Sequence, residues 1–228
     1  MDRRNSLKLG ASIVAGMAIV PGLNASEKMP EGQPMESFWD VVLNRRSVRA
    51  FKPDPIPEED LIKIINAARL APTSGNQQPW KFLIIRDRKK IDALKTEALK
   101  GTEAYLRDTR NLSGDELKKQ LEKSEASLAN GYLSAPAIIV VLTDNNSRYP
   151  TYNHWDGPLA AGYMMLAARA MGYGTVFITD SFPEELTKKV FNIPDQYTRV
   201  CISPIGIPVE WPKKEKKDLA EFIVNESF

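Results

Sequence analysis

An unbroken apolar run, Ala137-Ile138-Ile139-Val140-Val141-Leu142, lies between Pro136 and the polar stretch Thr143-Asp144-Asn145. A strand turns successive side chains to opposite faces of its sheet, so a run with no polar member needs apolar cover on both faces. Phe82–Ile85 repeats the pattern on a shorter scale. Such a sheet has to carry helices, and the sequence supplies them. Glu36–Asn44 is helical by the spacing of Phe38, Val41 and Val42. A second helix opens at Pro57-Glu58-Glu59-Asp60, with proline at its start and acids in its first turn, and Leu61, Ile64, Ile65 and Ala68 share one face. His154–Met171, rich in Ala, Met and Leu, reads as a long helix stopped by Gly172. Gly174–Thr179 then reads as a strand, Pro183–Phe191 as a helix and Arg199–Ile205 as a further strand. Thr102–Lys123 is charged and weakly periodic, the pattern of a helical lid. From Glu36 to Phe228 there is no repeat and no long linker, so the pattern predicts one α+β domain.

Composition narrows the chemistry. The chain carries 31 Lys and Arg against 29 Asp and Glu, which argues against nucleic-acid binding by bulk charge. One cysteine excludes an intramolecular disulfide and a Cys-rich metal site. One histidine disfavours a His-based zinc site or a Ser-His-Asp triad. His154 reads as a helix-start residue, Cys201 as a small core residue, and Met164 and Met165 as packing.

The N-terminus is of another kind. Arg3, Arg4 and Lys8 precede a mildly apolar, Gly- and Ala-containing stretch, Leu9–Val20, and then Pro21-Gly22-Leu23-Asn24-Ala25. A basic start, a short apolar segment and a small residue at a cleavage point describe an export signal. The adjacent arginines resemble the twin-arginine type, although Asp2 and Ser6 depart from its pattern. Residues 1–25 are therefore expected to be a cleaved signal, 26–35 a flexible mature N-terminus, and 36–228 the folded domain. Removal of residues 1–25 leaves 28 charges of each sign.

Three segments could carry function. Arg45-Arg46-Ser47-Val48-Arg49-Ala50-Phe51 sets three guanidiniums and a hydroxyl close together after a helix, a set suited to a phosphate monoester. Alone, such a run is more often solvated surface. Ala71-Pro72-Thr73-Ser74-Gly75-Asn76-Gln77-Gln78-Pro79-Trp80 offers donors and acceptors able to read a heterocycle edge, or simply forms a Pro-bounded turn. Gly206-Ile207-Pro208-Val209-Glu210-Trp211-Pro212-Lys213-Lys214-Glu215-Lys216-Lys217 leaves the last strand as a basic loop.

Taken in chain order, with Ala170-Met171-Gly172-Tyr173-Gly174-Thr175 closing the long helix, these segments resemble the FMN-dependent nitroreductase family over essentially all of Glu36 to Phe228. The resemblance implies a central mixed, mostly antiparallel sheet flanked by helices. It also implies a homodimer with FMN at the subunit interface. By position it puts Arg45 and Ser47 on the FMN phosphate, Arg46 on the phosphate or ribityl chain, and Arg49 at the N1/C2=O edge. Pro72, Thr73, Ser74 and Asn76 are expected to reach the same flavin from the other subunit, and Lys214 and Lys216 to complete the phosphate pocket. Lys216 stands where many relatives have Arg, so a point charge replaces a fork. Backbone N–H groups near flavin N5 fall at Thr179 and Asp180, where an acid departs from the more usual Gly.

The expected activity is reduction of nitroaromatic, quinone-like or other electron-poor acceptors, with the cofactor and not a side chain as the catalyst. A specialised flavin reaction such as reductive dehalogenation of a halogenated phenol is the alternative within the fold. A non-catalytic flavin-binding protein is the alternative outside it. The expected donor is NADH or NADPH, or, for an exported protein, a quinol or a redox partner.

Overall fold

The structure, a computed structural model, describes residues 37–227. The expected signal and mature N-terminus lie outside the described residues. Helix α1 (Phe38–Asn44) opens at Ser37, whose hydroxyl accepts the Asp40 N–H at 3.2 Å. Helix α2 (Glu58–Ala68) buries Leu61, Ile64 and Ala68. Strand β1 (Trp80–Ile85) leads into α3 (Arg88–Asp108), which Asp87 caps by accepting the Lys89 N–H at 2.9 Å. Helix α4 (Gly114–Asn130) returns alongside α3 and precedes β2 (Ala137–Asp144). The rest of the domain is α5 (Asn153–Ala170), β3 (Gly174–Thr175), α6 (Glu184–Phe191) and β4 (Tyr197–Gly206).

The strands lie in the order β1-β2-β4-β3, and every neighbouring pair is antiparallel. Among the described residues the parallel element of the expected mixed sheet is a single bridge, Ser47 to Thr175. Seven consecutive residues of β2 are buried. Ile138, Val140 and Leu142 join Ile91 and Leu94 of α3 and Phe191 of α6 on one face, while Ala137, Ile139 and Val141 meet Leu61 and Ile64 of α2 and Ala161 and Met164 of α5 on the other. The unbroken apolar run is thus the spine of two cores. Helix α5 lies close against the sheet because Gly157 has no side chain, and a Cβ there would fall 2.4 Å from a methyl of Val200.

Two expectations need correction. The strand expected over Gly174–Thr179 stops at Thr175 and resumes only as a bridge between Ile178 and Ile202. The next pairing partner in register is Pro204, which has no N–H to give the ladder. Residues 102–123 are not one segment, since they span the end of α3, a turn and the start of α4. The 21-residue α3 itself begins at Arg88, in a stretch where Ile91 and Leu94 are its only buried residues before Leu106.

Candidate functional site

Segment 45–52 lies where it does because its backbone is stitched to two neighbours. The Val48 N–H donates to Thr175 O of β3 at 3.0 Å. Lys52 N–H donates to Ile207 O at 2.8 Å and Val209 N–H to Ala50 O at 3.2 Å. Gly174 permits this approach, because a Cβ there would sit 2.6 Å from a Val48 methyl and 2.9 Å from the Pro208 ring. The chain leaving β4 is therefore clamped beside the arginines, although more than 150 residues separate them in sequence.

The clamp gathers the basic side chains. Arg46, Lys214 and Lys216 line one open cavity of about 1000 Å³, together with Asn44, Arg169, Trp211, Pro212, Lys213 and Glu215. Arg46 is partly committed to closing α1, donating through Nη1 to Leu43 O at 2.6 Å and Arg45 O at 2.9 Å. The Arg45 guanidinium has its pKa lowered from the ordinary value, chiefly by burial and then by the like charge of Arg46. Five cations line the cavity (Arg46, Arg169, Lys213, Lys214 and Lys216) against one acid, Glu215, and that excess of positive charge favours an anion. Arg45, Ser47 and Arg49 belong to the same segment but do not line this cavity. Arg49 is exposed and turns Nη1 back to Ser47 O at 3.2 Å. Arg169 lies over the Trp211 ring at 4.3 Å, and neither residue was singled out by the sequence reading.

The second segment forms a tight turn before β1. Gly75, Asn76 and Gln78 all adopt positive φ, at 55°, 54° and 49°. For a non-glycine residue this left-handed backbone costs roughly 1–2 kcal/mol, so two such residues close together need strong fixing. The fixing comes from within the turn and from α5. The Thr73 hydroxyl accepts the Gln78 N–H at 3.2 Å. Asp156, buried in the first turn of α5, accepts the Ser74 N–H at 3.1 Å and Gln77 Nε2–H at 2.6 Å. Gln77 in turn donates to Tyr149 O at 3.1 Å and accepts from Tyr149 N–H at 2.7 Å. Pro72, Gly75 and Asn76 remain exposed, and Thr73 and Ser74 are half-buried.

Within one chain these two groups stand apart. The turn is anchored at Asp156 and the basic cavity includes Arg169, thirteen positions further along α5. At 1.5 Å per residue that is about 20 Å along the helix axis. Thr179 and Asp180 are exposed at the end of the chain after β3, and the Thr179 carbonyl accepts from Arg199 Nη2 at 2.6 Å. His154 is exposed at the second position of α5. Burial pushes the Cys201 thiol up to about 12, which suits the core residue expected of it. Among the described residues no cluster of His, Cys, Asp or Glu could hold a metal ion.

Residues 42–207, more than half of the chain, match the family described as the Nitroreductase family. The chain belongs to the nitroreductase family. Its nitroreductase-family domain is 30% identical over 175 residues to iodotyrosine deiodinase of Thermotoga neapolitana, a match covering 76% of this chain and 90% of that protein. It is 32% identical over 195 residues to a protein of Archaeoglobus fulgidus provisionally named NADH dehydrogenase/NAD(P)H nitroreductase, covering 82% of this chain and 91% of that one. Among solved structures, oxidized iodotyrosine deiodinase bound to FMN and 3-iodo-L-tyrosine superposes with a TM-score of 0.66 at 28% identity. That superposition covers 84% of this chain and 99% of the other.

Proposed function

We propose that this protein is an FMN-dependent oxidoreductase that reduces nitroaromatic, quinone-like or other electron-poor acceptors. The observation that carries the reading is the convergence of Arg46, Lys214 and Lys216, from opposite ends of the domain sequence, on one open cavity. Three convergent cations match a phosphate monoester, and the donor-and-acceptor turn 73–78 matches a heterocycle edge, so the chemistry of the donor set fits FMN. Arg45, Ser47, Lys214 and Lys216 would hold the phosphate, and Arg46 the phosphate or ribityl chain. Pro72, Thr73, Ser74 and Asn76 would meet the ring. Arg49 would stand at its N1/C2=O edge, where a guanidinium favours negative charge. When bound, the flavin supplies the two-electron transfer, and the protein's part is to orient it and to leave one face open to the acceptor.

The roughly 20 Å between the two groups supports a homodimer in which each flavin takes its phosphate contacts from one chain and its ring contacts from the other. The exposed faces support the same arrangement. Trp155, Leu159 and Tyr163 form one exposed stripe on α5, continued by Tyr152 just before it, and Phe38, Trp39 and Leu43 stand out from α1. The test is direct. The purified protein should be yellow and dimeric, release FMN on denaturation, and be reoxidised rapidly by a nitroaromatic or quinone after dithionite reduction. Flavin that chromatographs as FAD, or slow reoxidation by every acceptor, would reject the reading.

A second reading, reductive dehalogenation of a halogenated phenol, draws support from the likeness to iodotyrosine deiodinases in both sequence and fold. Release of halide from a halotyrosine faster than turnover of a nitroaromatic would select it. We also propose export by a twin-arginine route, with a quinol or redox partner in place of NAD(P)H as donor. The motivation is Arg3-Arg4 and the cofactor itself, which an unfolded chain could not carry across a membrane. Processing and flavin loading that survive replacement of both arginines by lysine would overturn that proposal.

A further inference from the structure

Asp156 is the one acid among the described residues that is buried and takes no part in an ion pair of the domain's surface. It is 3% exposed. Both of its oxygens accept from the turn that precedes β1, one from the Ser74 backbone N–H and the other from the Gln77 carboxamide. The same carboxamide bonds the Tyr149 backbone in both directions and donates to Asn153 Oδ1 at 3.3 Å. Asn153 in turn donates to Asp144 O at 2.9 Å at the end of β2. One buried group thus ties the left-handed turn to the start of α5, to the loop before it and to the sheet.

We infer that Asp156 is a positioning residue for the flavin ring, holding turn 73–78 in the one shape that presents Thr73, Ser74 and Asn76 outward to the partner chain's flavin. The inference rests on the FMN reading of the site. The physical ground is the demand for two acceptors at one point. Asparagine at 156 has the same size and offers only one acceptor oxygen, so its N–H₂ faces either the Ser74 N–H or the Gln77 amide, two donors in opposition. The turn contains Asn76 and Gln78 in left-handed backbone, and without Asp156 the cost of that shape falls on the turn's own bonds, such as Gln78 N–H to the Thr73 hydroxyl, and on the Gln77–Tyr149 pair. Asp156 itself never touches the flavin on this account, and its influence passes through Ser74 and Gln77. Its place in the first turn of α5 suits an acid, since the helix N-terminus favours negative charge.

The effect should be confined to the ring end of the cofactor, and riboflavin isolates that end because it lacks the phosphate. Full-length protein stripped of flavin is titrated with FMN and with riboflavin by fluorescence quenching, and the visible spectrum of bound flavin is recorded. Asp156→Asn should weaken both ligands by the same factor, tenfold or more, and alter the shape of the bound-flavin band. Lys214→Ala should weaken FMN alone. Affinities for both flavins within twofold of wild type, or a loss confined to FMN, would overturn the proposal. If Asp156→Asn does not fold, Gln77→Glu alone, which sets two carboxylates face to face from the turn's side, decides by the same thresholds. A wild-type protein that binds neither flavin rejects the FMN reading itself, which is a different result from a wild type that binds and a variant that binds equally well.

Discussion

Gly75 stands at φ +55°, and a Cβ built on it would lie 2.6 Å from Cε2 of the Tyr149 ring. Both the backbone and the space therefore require glycine. Gly75→Ala should lower the free energy of unfolding by about 1–2 kcal/mol, from left-handed strain and from displacement of the ring. Urea unfolding monitored by circular dichroism measures this, and an unchanged midpoint would contradict it. The same change should weaken flavin binding, because Tyr149 braces Gln77. At this scale the sequence was legible in part. The identities in segment 72–78 could be read as donors and acceptors, but which of them point outward could not. Gln77 lies inside the motif and turns inward, while Asp156 reads in sequence as one more acid in the first turn of a helix. Their pairing is set by a fold that brings positions 79 residues apart into contact.

Helix α5 is the element on which most of the rest depends. Its inner face buries Ala160, Ala161, Met164 and Ala168, small or flexible side chains that let it lie close to the sheet. Its outer face carries Trp155, Leu159 and Tyr163, 56%, 44% and 42% exposed, with Gly162 among them and nothing within 4 Å of the Cβ it lacks. A helix that is apolar on its inner face as well as its outer one has no net amphipathic signal to read. Its covering partner was therefore inferred from family resemblance and not from periodicity. Leu159→Arg puts a charge in the middle of the stripe. It should shift sedimentation from dimer toward monomer and raise the Kd for FMN at least tenfold in parallel; a monomer that keeps full FMN occupancy would refute the link.

The C-terminal end of α5 is held to α2 by Tyr173, whose hydroxyl donates to Asp60 Oδ2 at 2.7 Å. Burial, and then the hydrogen bond and charge of Asp60, push the Tyr173 pKa up to about 12. A phenol raised above its unfolded value near 10 stabilises the fold fully below that pH and loses the contribution as pH rises through about 12. Tyr173→Phe should thus be less stable than wild type at pH 8, and the gap should close between pH 10 and 12. Parallel denaturation curves at the two extremes test it, and a gap that widens with pH would be the wrong sign.

For the molecule as a whole, the two-sided core follows from β2, where alternate residues of one apolar run feed both cores. That much was legible because burial on both faces leaves no polar residue in the run. Less legible were the interruptions. Pro204, in the middle of a strand, gives no sign in sequence that its missing N–H ends β3 early on the neighbouring edge. The charged helix pair α3 and α4 was hidden for the opposite reason, since α4 has no buried residue and only sparse apolar contacts bind the pair to the domain. The basic cavity was legible in part: Arg46, Lys214 and Lys216 stood in two motifs brought together by the stitching of residues 47–52 to residues 207–209, whereas Arg169 stood in neither and Arg45, Ser47 and Arg49 do not line it.

The placement of that cavity and the turn at opposite ends of one rigid helix has a consequence for mixtures of chains. A chain lacking Lys214 and Lys216 keeps a sound turn, and a chain with Asn76 replaced keeps a sound cavity. If every site draws on both chains of a dimer, as proposed, each variant alone should build only defective sites. Mixed in equal amounts and allowed to exchange, half of the dimers are hybrids, and each hybrid joins the intact cavity of one chain to the intact turn of the other. Two inactive proteins should therefore complement one another and regain about a quarter of the wild-type flavin sites. Titration of the mixture with FMN counts them, and no recovery beyond the sum of the separate variants would mean that a single chain builds the whole site.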